Sequence, residues 1–329
     1  MKQAIIEKTN NSLKKIKTLK KSWFILLIII SILGCASNDD NEFDYEIDNE
    51  IDKDSALTAL LAKDVILNAE NFPDDVFRRR ISKITGVEEG DTITKEIILN
   101  TTEIDVSSDY NTWAIHNIDC IHNLIGIEYF VALTSLTCNW NYISSLDLSK
   151  NYKLESLSCY RNRLTSLDLS KNKHLLHLFC YSNKLSTLDL SKNIKLVSLL
   201  CGDNLLESLE IQSNSELTFL ACENNKLKNL DVSNNPMLTT INCSENRLKY
   251  LDFTNNASLT HITCYHNLIG ENEMEELIKS MPIVENGYFN VVYIYPTKHE
   301  GNVCTKAQVI AAKAKGWKVY NKLKEYEGS

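Results

Sequence analysis

The 329-residue chain carries 43 acidic against 35 basic residues, a formal net charge of −8 at neutral pH. A field of that sign excludes recruitment of nucleic acid or of an anionic lipid surface by charge alone. Residues 1–34 hold seven of the basic and one of the acidic residues, so a chain that loses them keeps 28 against 42 and a net charge of −14.

The first segment places seven lysines ahead of the apolar run "WFILLIIISIL" and then "GC". A cationic stretch before about eleven apolar residues reads as a secretory signal, too short to cross a bilayer comfortably as a lone helix. The alternative is an uncleaved N-terminal helix. Residues 38–54, "NDDNEFDYEIDNEIDKD", contain nine acidic residues and one lysine. Like charge at that density resists collapse and predicts an extended tether over residues 35–56.

Residues 57–132 read as an N-terminal cap with a degenerate first repeat. Pro73, Asp74 and Asp75 open a predicted helix whose later turn is expected to carry Arg78, Arg79 and Arg80, in favourable positions for the helix dipole. The stretch "TGVEEGDTITKE" has the outline of a calcium loop, but Thr85 and Val87 stand where the first and third ligands belong, which leaves a turn.

From residue 133 to residue 269 the sequence repeats every 21 residues as L-x-x-L-x-C-x-x-N-x-L-x-x-L-D-L-S-x-N-x-x, seven times over. Position six is Cys138, Cys159, Cys180, Cys201, Cys222, Cys243 and Cys264; position nine is asparagine throughout, and position nineteen is asparagine from Asn151 to Asn256. One unit cannot bury its own leucines, whereas stacked units share a continuous core. A strand is expected at positions three to seven, with four and six facing inward. The cysteines then form a buried column of free thiols in a core too narrow for leucine. The asparagines are expected to donate to and accept from neighbouring rungs at the corners. The carboxylates at position fifteen, Asp147 to Asp252, are expected to bond nearby corner amides on a solvated face, the alternative being a cation ladder. Because "LTSLDLSKN" echoes the first half of the unit, a short second strand is expected on the returning side, with a flat or gently curved solenoid.

The unit "LESLSCYRNRLTSLDLSKN" resembles a bacterial leucine-rich repeat of the short 21-residue type, and "NFPDDVFRRRI", "LIGIEYFVALTSLTC" and "AAKAKGWKVY" are similar to the flanks of Bacteroidetes leucine-rich-repeat surface lipoproteins. "ILGCAS" resembles a lipobox, which implies cleavage before Cys35 and lipid on its sulfur. The several acyl chains of such an anchor suffice for stable membrane attachment. The acidic segment after Cys35 resembles the surface-export signal of the same lipoproteins; a periplasmic spacer is the alternative. The resemblance therefore implies a mainly β solenoid with a parallel sheet, α-helical caps at both ends, and an outer-membrane, cell-surface address. It does not specify a ligand.

Residues 270–329 read as a C-terminal α/β cap. Met274, Leu277, Ile278 and Met281 share one helical face, residues 289–295 read as a strand, and Thr305 with Gln308 forms a capping box before a helix that Gly316 closes.

No nucleophile–base pair, metal cluster or Gly-rich phosphate loop emerges from the spacing, so no catalytic role, metal or cofactor is expected. The outward strand positions instead place Tyr160, Phe179, Tyr181, Leu200 and Phe219 on successive rungs, extended at the edge by Trp140, Arg161 and Arg163. Aromatic and arginine residues on an exposed sheet are the composition of an interface. The expected ligand is a protein; a glycan, which also stacks on aromatic platforms, and a spacer without a ligand are the alternatives. The C-terminal rungs, with Glu223, Asn242, Ser244 and Glu245, read as more polar.

Overall fold

The structure is a computed structural model that describes residues 57–109, 119–293, 300–321 and 324–328. Cys35 and the acidic segment lie outside the described residues. The N-terminal cap contains a two-stranded antiparallel ribbon, β1 (Val65–Ile66) with β2 (Thr92–Ile93). Between its strands lies α1 (Asp75–Thr85), capped by the Asp74 side chain, which accepts from Phe77 N. The helix runs further than the sequence suggested. Its last turn carries Lys83, and the three arginines sit in the middle of the helix, where they pair individually instead of sensing the dipole. Arg78 meets Glu89 at 2.8 Å, Arg79 meets Asp119 at 3.1 Å, and Arg80 donates to the carbonyls of Val106 and Asp119.

After α2 (Lys95–Asn100), β3 (Glu103–Asp105) opens an eleven-stranded sheet in which neighbours follow chain order. The seven repeats supply β4 (Ser135–Thr137), β5 (Ser156–Ser158), β6 (His177–Phe179), β7 (Ser198–Leu200), β8 (Phe219–Ala221), β9 (Thr240–Asn242) and β10 (His261–Thr263). All of them pair in parallel with like positions side by side, as in Leu136↔Leu157↔Leu178↔Leu199. The C-terminal cap continues the sheet with β11 (Gly287–Val292) and β12 (Trp317–Asn321), both parallel, and ends it with the antiparallel β13 (Lys324–Glu325).

Each strand covers positions three to five only, shorter than expected. The cause is position eight. Trp140, Arg161, Ser182, Asp203, Asn224, Glu245 and His266 all have φ between 50° and 57°, the left-handed region, which turns the chain at the corner. Parallel hydrogen bonding nevertheless continues past the strands, through Cys159 N to Phe179 O (2.9 Å) and Arg161 N to Tyr181 O (3.0 Å).

The returning side forms no second strand. Neighbouring rungs there share one backbone hydrogen bond per unit, as from Lys184 N to Leu164 O at 2.8 Å, and each unit ends in two turns, so the inward leucines are held mainly by packing. The positions that repeat as leucine, isoleucine, valine or phenylalanine are buried along both sides, except for the half-buried Leu146 of the first unit, and all seven position-six cysteines are fully buried and free. Burial pushes their thiols upward, to about 12 for Cys138, Cys180 and Cys243.

Two caps close the core. Met274, Leu277 and Ile278 are the buried face of α3 (Glu271–Ser280). The capping box of Thr305 and Gln308 starts α4 (Lys306–Ala314), and Gln308 Nε2 also donates to Glu271 O of α3 at 2.6 Å. Gly316 follows with φ 87°, where a Cβ would lie 1.7 Å from Val284 O; only glycine lets β12 enter beside β11.

Candidate functional site

The backbone corner at positions seven to nine sets the geometry of the outer face. Position-nine asparagines fix it from inside. Asn162 Nδ2 donates to Cys138 O and Cys159 O, both at 3.0 Å, and its Oδ1 accepts from Ile143 N at 3.0 Å. The same pattern runs through every rung, and Asn302 of the cap continues it by donating to Cys264 O and Val291 O and accepting from Ile269 N. The position-nineteen column differs from expectation. Its amides donate, as Asn172 does to Asn151 O at 2.8 Å, but the Oδ1 atoms of Asn151, Asn172, Asn193, Asn214, Asn235 and Asn256 are buried without a partner.

On this frame stands an aromatic run. Tyr160 stacks on Tyr181, ring centroids 4.5 Å apart and 11° from parallel, and Trp140 meets Tyr160 edge-on at 6.3 Å. The Arg161 guanidinium lies 4.3 Å from the Trp140 ring centroid, a cation–π contact made possible by the left-handed backbone of both residues. Arg163 repeats the contact on Tyr142 at 3.9 Å. Burial pushes the Tyr181 hydroxyl upward from its ordinary value.

Of the residues singled out in the sequence, Trp140, Tyr160, Arg161 and Tyr181 are thus joined in one half-buried cluster. Phe179 is half-buried on the same rung as Tyr181, beside His177 at 6.3 Å. Phe219 is half-buried on another column and makes no ring contact with the run among the described residues. Leu200 is only 8 % exposed, because its neighbours across the sheet, Phe179 and Ala221, close over it; it supports the face and offers little surface.

The C-terminal end carries aromatic groups that the polar reading of its rungs passed over. His261, Tyr288 and Tyr320 stack at 6.0 and 4.6 Å, and Tyr265, His266 and Tyr293 cluster within 5.3–5.4 Å. Of these six, His261, Tyr265 and His266 belong to the repeats. Tyr288 and Tyr320 come from cap strands, and the signal for them was the sheet continuing into the cap.

On the returning side, Asp147, Asp168, Asp189, Asp231 and Asp252 each accept at 2.9 Å from the amide two residues on. Those hydrogen bonds, at Asp252 led by one from the Thr254 hydroxyl, hold the carboxyls below their ordinary value. No group of three or more histidine, cysteine, aspartate or glutamate side chains able to hold a metal occurs among the described residues.

The stack of parallel rungs finds counterparts among solved structures. The functional domain of InlJ from Listeria monocytogenes, which includes a cysteine ladder, superposes with a TM-score of 0.57 at 28% identity over 77% of this chain and 55% of that one. The chain has a leucine-rich-repeat fold. A second Listeria monocytogenes internalin, inlF, shares the fold with a TM-score of 0.60 at 20% identity, over 77% of this chain and 76% of that one. In sequence, 80 residues of this leucine-rich-repeat chain are 35% identical to internalin J of Listeria monocytogenes; they make up 24% of the chain and 8% of that relative. No protein-family model matches.

Proposed function

We propose that the chain is a lipid-anchored surface protein whose repeat sheet binds a protein partner non-catalytically, through the face centred on Trp140, Tyr160, Arg161 and Tyr181. The observation that carries this reading is the stacked run itself, which leaves large aromatic and guanidinium groups half-exposed on a rigid sheet. Rigid aromatic and arginine anchors are what interface centres are made of. The likeness to internalins supports an interaction or adhesion module at the level of the fold. Lipid on Cys35 and an outward-facing address rest on the sequence of residues 1–56.

The geometry favours protein over glycan. A sugar stacks on an open ring face, whereas Tyr160 and Tyr181 turn faces to each other and Trp140 approaches Tyr160 edge-on. Each ring of the pair thus has one face already covered.

The test is protease shaving of intact cells, followed by capture with the released protein and with its Phe179→Ala/Tyr181→Ala variant. Capture of one defined protein by the parent, lost in the variant at unchanged Tm, is expected. Retention of the partner by the variant would move the site elsewhere; a positive neutral-glycan array with no protein capture would replace the reading; release of the chain only after lysis would overturn the surface address.

A further inference from the structure

Position seven on the outer face reads Asn139, Tyr160, Tyr181, Gly202, Glu223, Ser244, Tyr265. The column is interrupted at Gly202, and Glu223 has moved into the gap. A Cβ at Gly202 would lie 2.6 Å from Glu223 Cδ and 2.8 and 2.9 Å from its two carboxyl oxygens. The carboxyl is therefore laid over glycine backbone although its own position faces outward. In that pose Oε2 is sealed from solvent without a hydrogen-bond partner, and Glu223 makes no ion pair among the described residues. Buried carboxyl oxygens are ordinarily satisfied, so an orphan on a surface column requires an explanation.

The neighbours make the site more demanding. Asp203, one rung before, and Glu245, one rung after, both act on the Glu223 charge. Asp203 is already engaged by Ser182 Oγ at 3.1 Å and Asn224 Nδ2 at 2.6 Å, so it adds negative field without supplying a proton to Glu223. The outer face thus changes sign along the stack, from Arg161 and Arg163 on rung two to Asp203, Glu223 and Glu245 on rungs four to six. These carboxylates do not make a metal cage.

We propose that the gap at Gly202 is the receptor for one basic side chain, lysine or arginine, of the protein that docks on the Trp140–Tyr181 run, with Glu223 as its counter-charge. The inference rests on the reading of that face as a protein-binding surface and adds the partner's chemistry to it. Rotation of the Glu223 side chain lifts Oε2 out and leaves a cleft between Tyr181 and Glu223. An incoming guanidinium or ammonium fills that cleft, gains a charge-assisted hydrogen bond and relieves the repulsion among the three carboxylates. Gly202 is required because any side chain there would occupy the cleft. The gap lies two rungs from Tyr160, roughly 10 Å at parallel-sheet spacing, which places the partner's basic residue one short reach from the group that packs on the aromatic run.

The test uses the full chain, labelled at glutamate side-chain carboxyls for NMR, with methylguanidinium chloride as probe and sodium chloride at matched ionic strength as control. The Glu223 resonance is expected to shift saturably with methylguanidinium and not with sodium, and the saturable response is expected to disappear in Gly202→Ala. An identical response to both salts, or a Glu223 response no different from that of exposed Glu207, would overturn the inference. Once a partner is captured, Glu223→Gln is expected to weaken it about 30-fold or more, the lower end of the loss for one member of a buried charge pair. If Glu223 ignores methylguanidinium while Phe179→Ala/Tyr181→Ala still abolishes capture, the docking face stands and the basic residue does not.

Discussion

The asparagine at position nine is the residue on which each corner depends. Asn183 Nδ2 donates to Cys159 O and Cys180 O at 3.0 Å, and its Oδ1 accepts from Leu164 N at 3.0 Å. Asn183→Ala strands the Leu164 amide and takes one of two donors from each carbonyl, Asn162 and Asn204 keeping the other; the expected loss is about 1–3 kcal/mol in urea unfolding, the cost of an unpaired buried backbone group. Position eight carries a different constraint. Ser182 holds φ 55°, so a β-branched replacement must adopt a conformation that L-residues avoid. Ser182→Val is expected to lose about 1–2 kcal/mol while Ser182→Asn stays near neutral, measured in the same way. This column was not legible in the sequence, because seven different residue types occupy it and no glycine marks it. The cysteine and asparagine columns were legible because each has one chemical solution and repeats without variation.

Glu223 gives the residue scale a pH signature. Burial, together with Asp203 and Glu245, raises its carboxyl from an ordinary 4.5 to about 7. The folded state holds that proton more tightly than the unfolded state. Its stabilising contribution is therefore complete below about 4.5 and is lost as the pH rises through about 7. His177 and His261, lowered by burial, act oppositely as the pH falls below 6.5. The difference between parent and Glu223→Gln isolates the carboxyl. Urea titrations are expected to show the parent losing on the order of 1–3 kcal/mol relative to the variant between pH 4.5 and 7; a difference independent of pH would place the carboxyl in solvent.

At the scale of elements, the ends of the stack decide whether the repeats can stand. The last corner is closed by Glu300, whose carboxylate accepts from His266 N (2.9 and 3.0 Å), Tyr293 N (2.7 Å) and Asn302 N (3.0 Å). Those three amides have no further rung to pair with, and a single side chain satisfies them. Glu300→Ala is expected to lose at least 2 kcal/mol, roughly the value of one charge-assisted hydrogen bond, and to raise hydrogen exchange at Tyr293 and Asn302 before the central rungs. The capping box at Thr305 could be read from four letters because it is local. Glu300 could not: its partners lie 34 and 7 residues away, and only the fold brings them together. The same reason hid the arginines of α1. Their positions suggested a dipole effect, whereas tertiary partners such as Asp119, 40 residues away, hold them. The second strand expected on the returning side failed on a related point. Pattern alone cannot distinguish a strand from irregular chain whose inward leucines pack into the same core.

At the scale of the whole molecule, a 21-residue period converts sequence identity into spatial neighbourhood, and this made the solenoid legible before any coordinates. The ladder Leu136↔Leu157↔Leu178↔Leu199 is the period restated in space. The same rule put Tyr160 beside Tyr181, and it also explains what the sequence concealed. The cap strands β11 and β12 lie outside the period, so Tyr288 and Tyr320 join the outer face without a repeat to announce them.

The central claim, that like positions stack in register around a dry interior, is tested most directly by the seven thiols of the repeats. Native full-length protein is to be exposed to iodoacetamide, quenched over time and mapped by mass spectrometry, with a urea-unfolded sample as reference. Thiols buried and pushed upward in this way react only when the chain opens. The account predicts that Cys138, Cys159, Cys180, Cys201, Cys222, Cys243 and Cys264 remain unmodified together in the native protein and are all labelled in urea; rapid labelling of these seven under native conditions would contradict it.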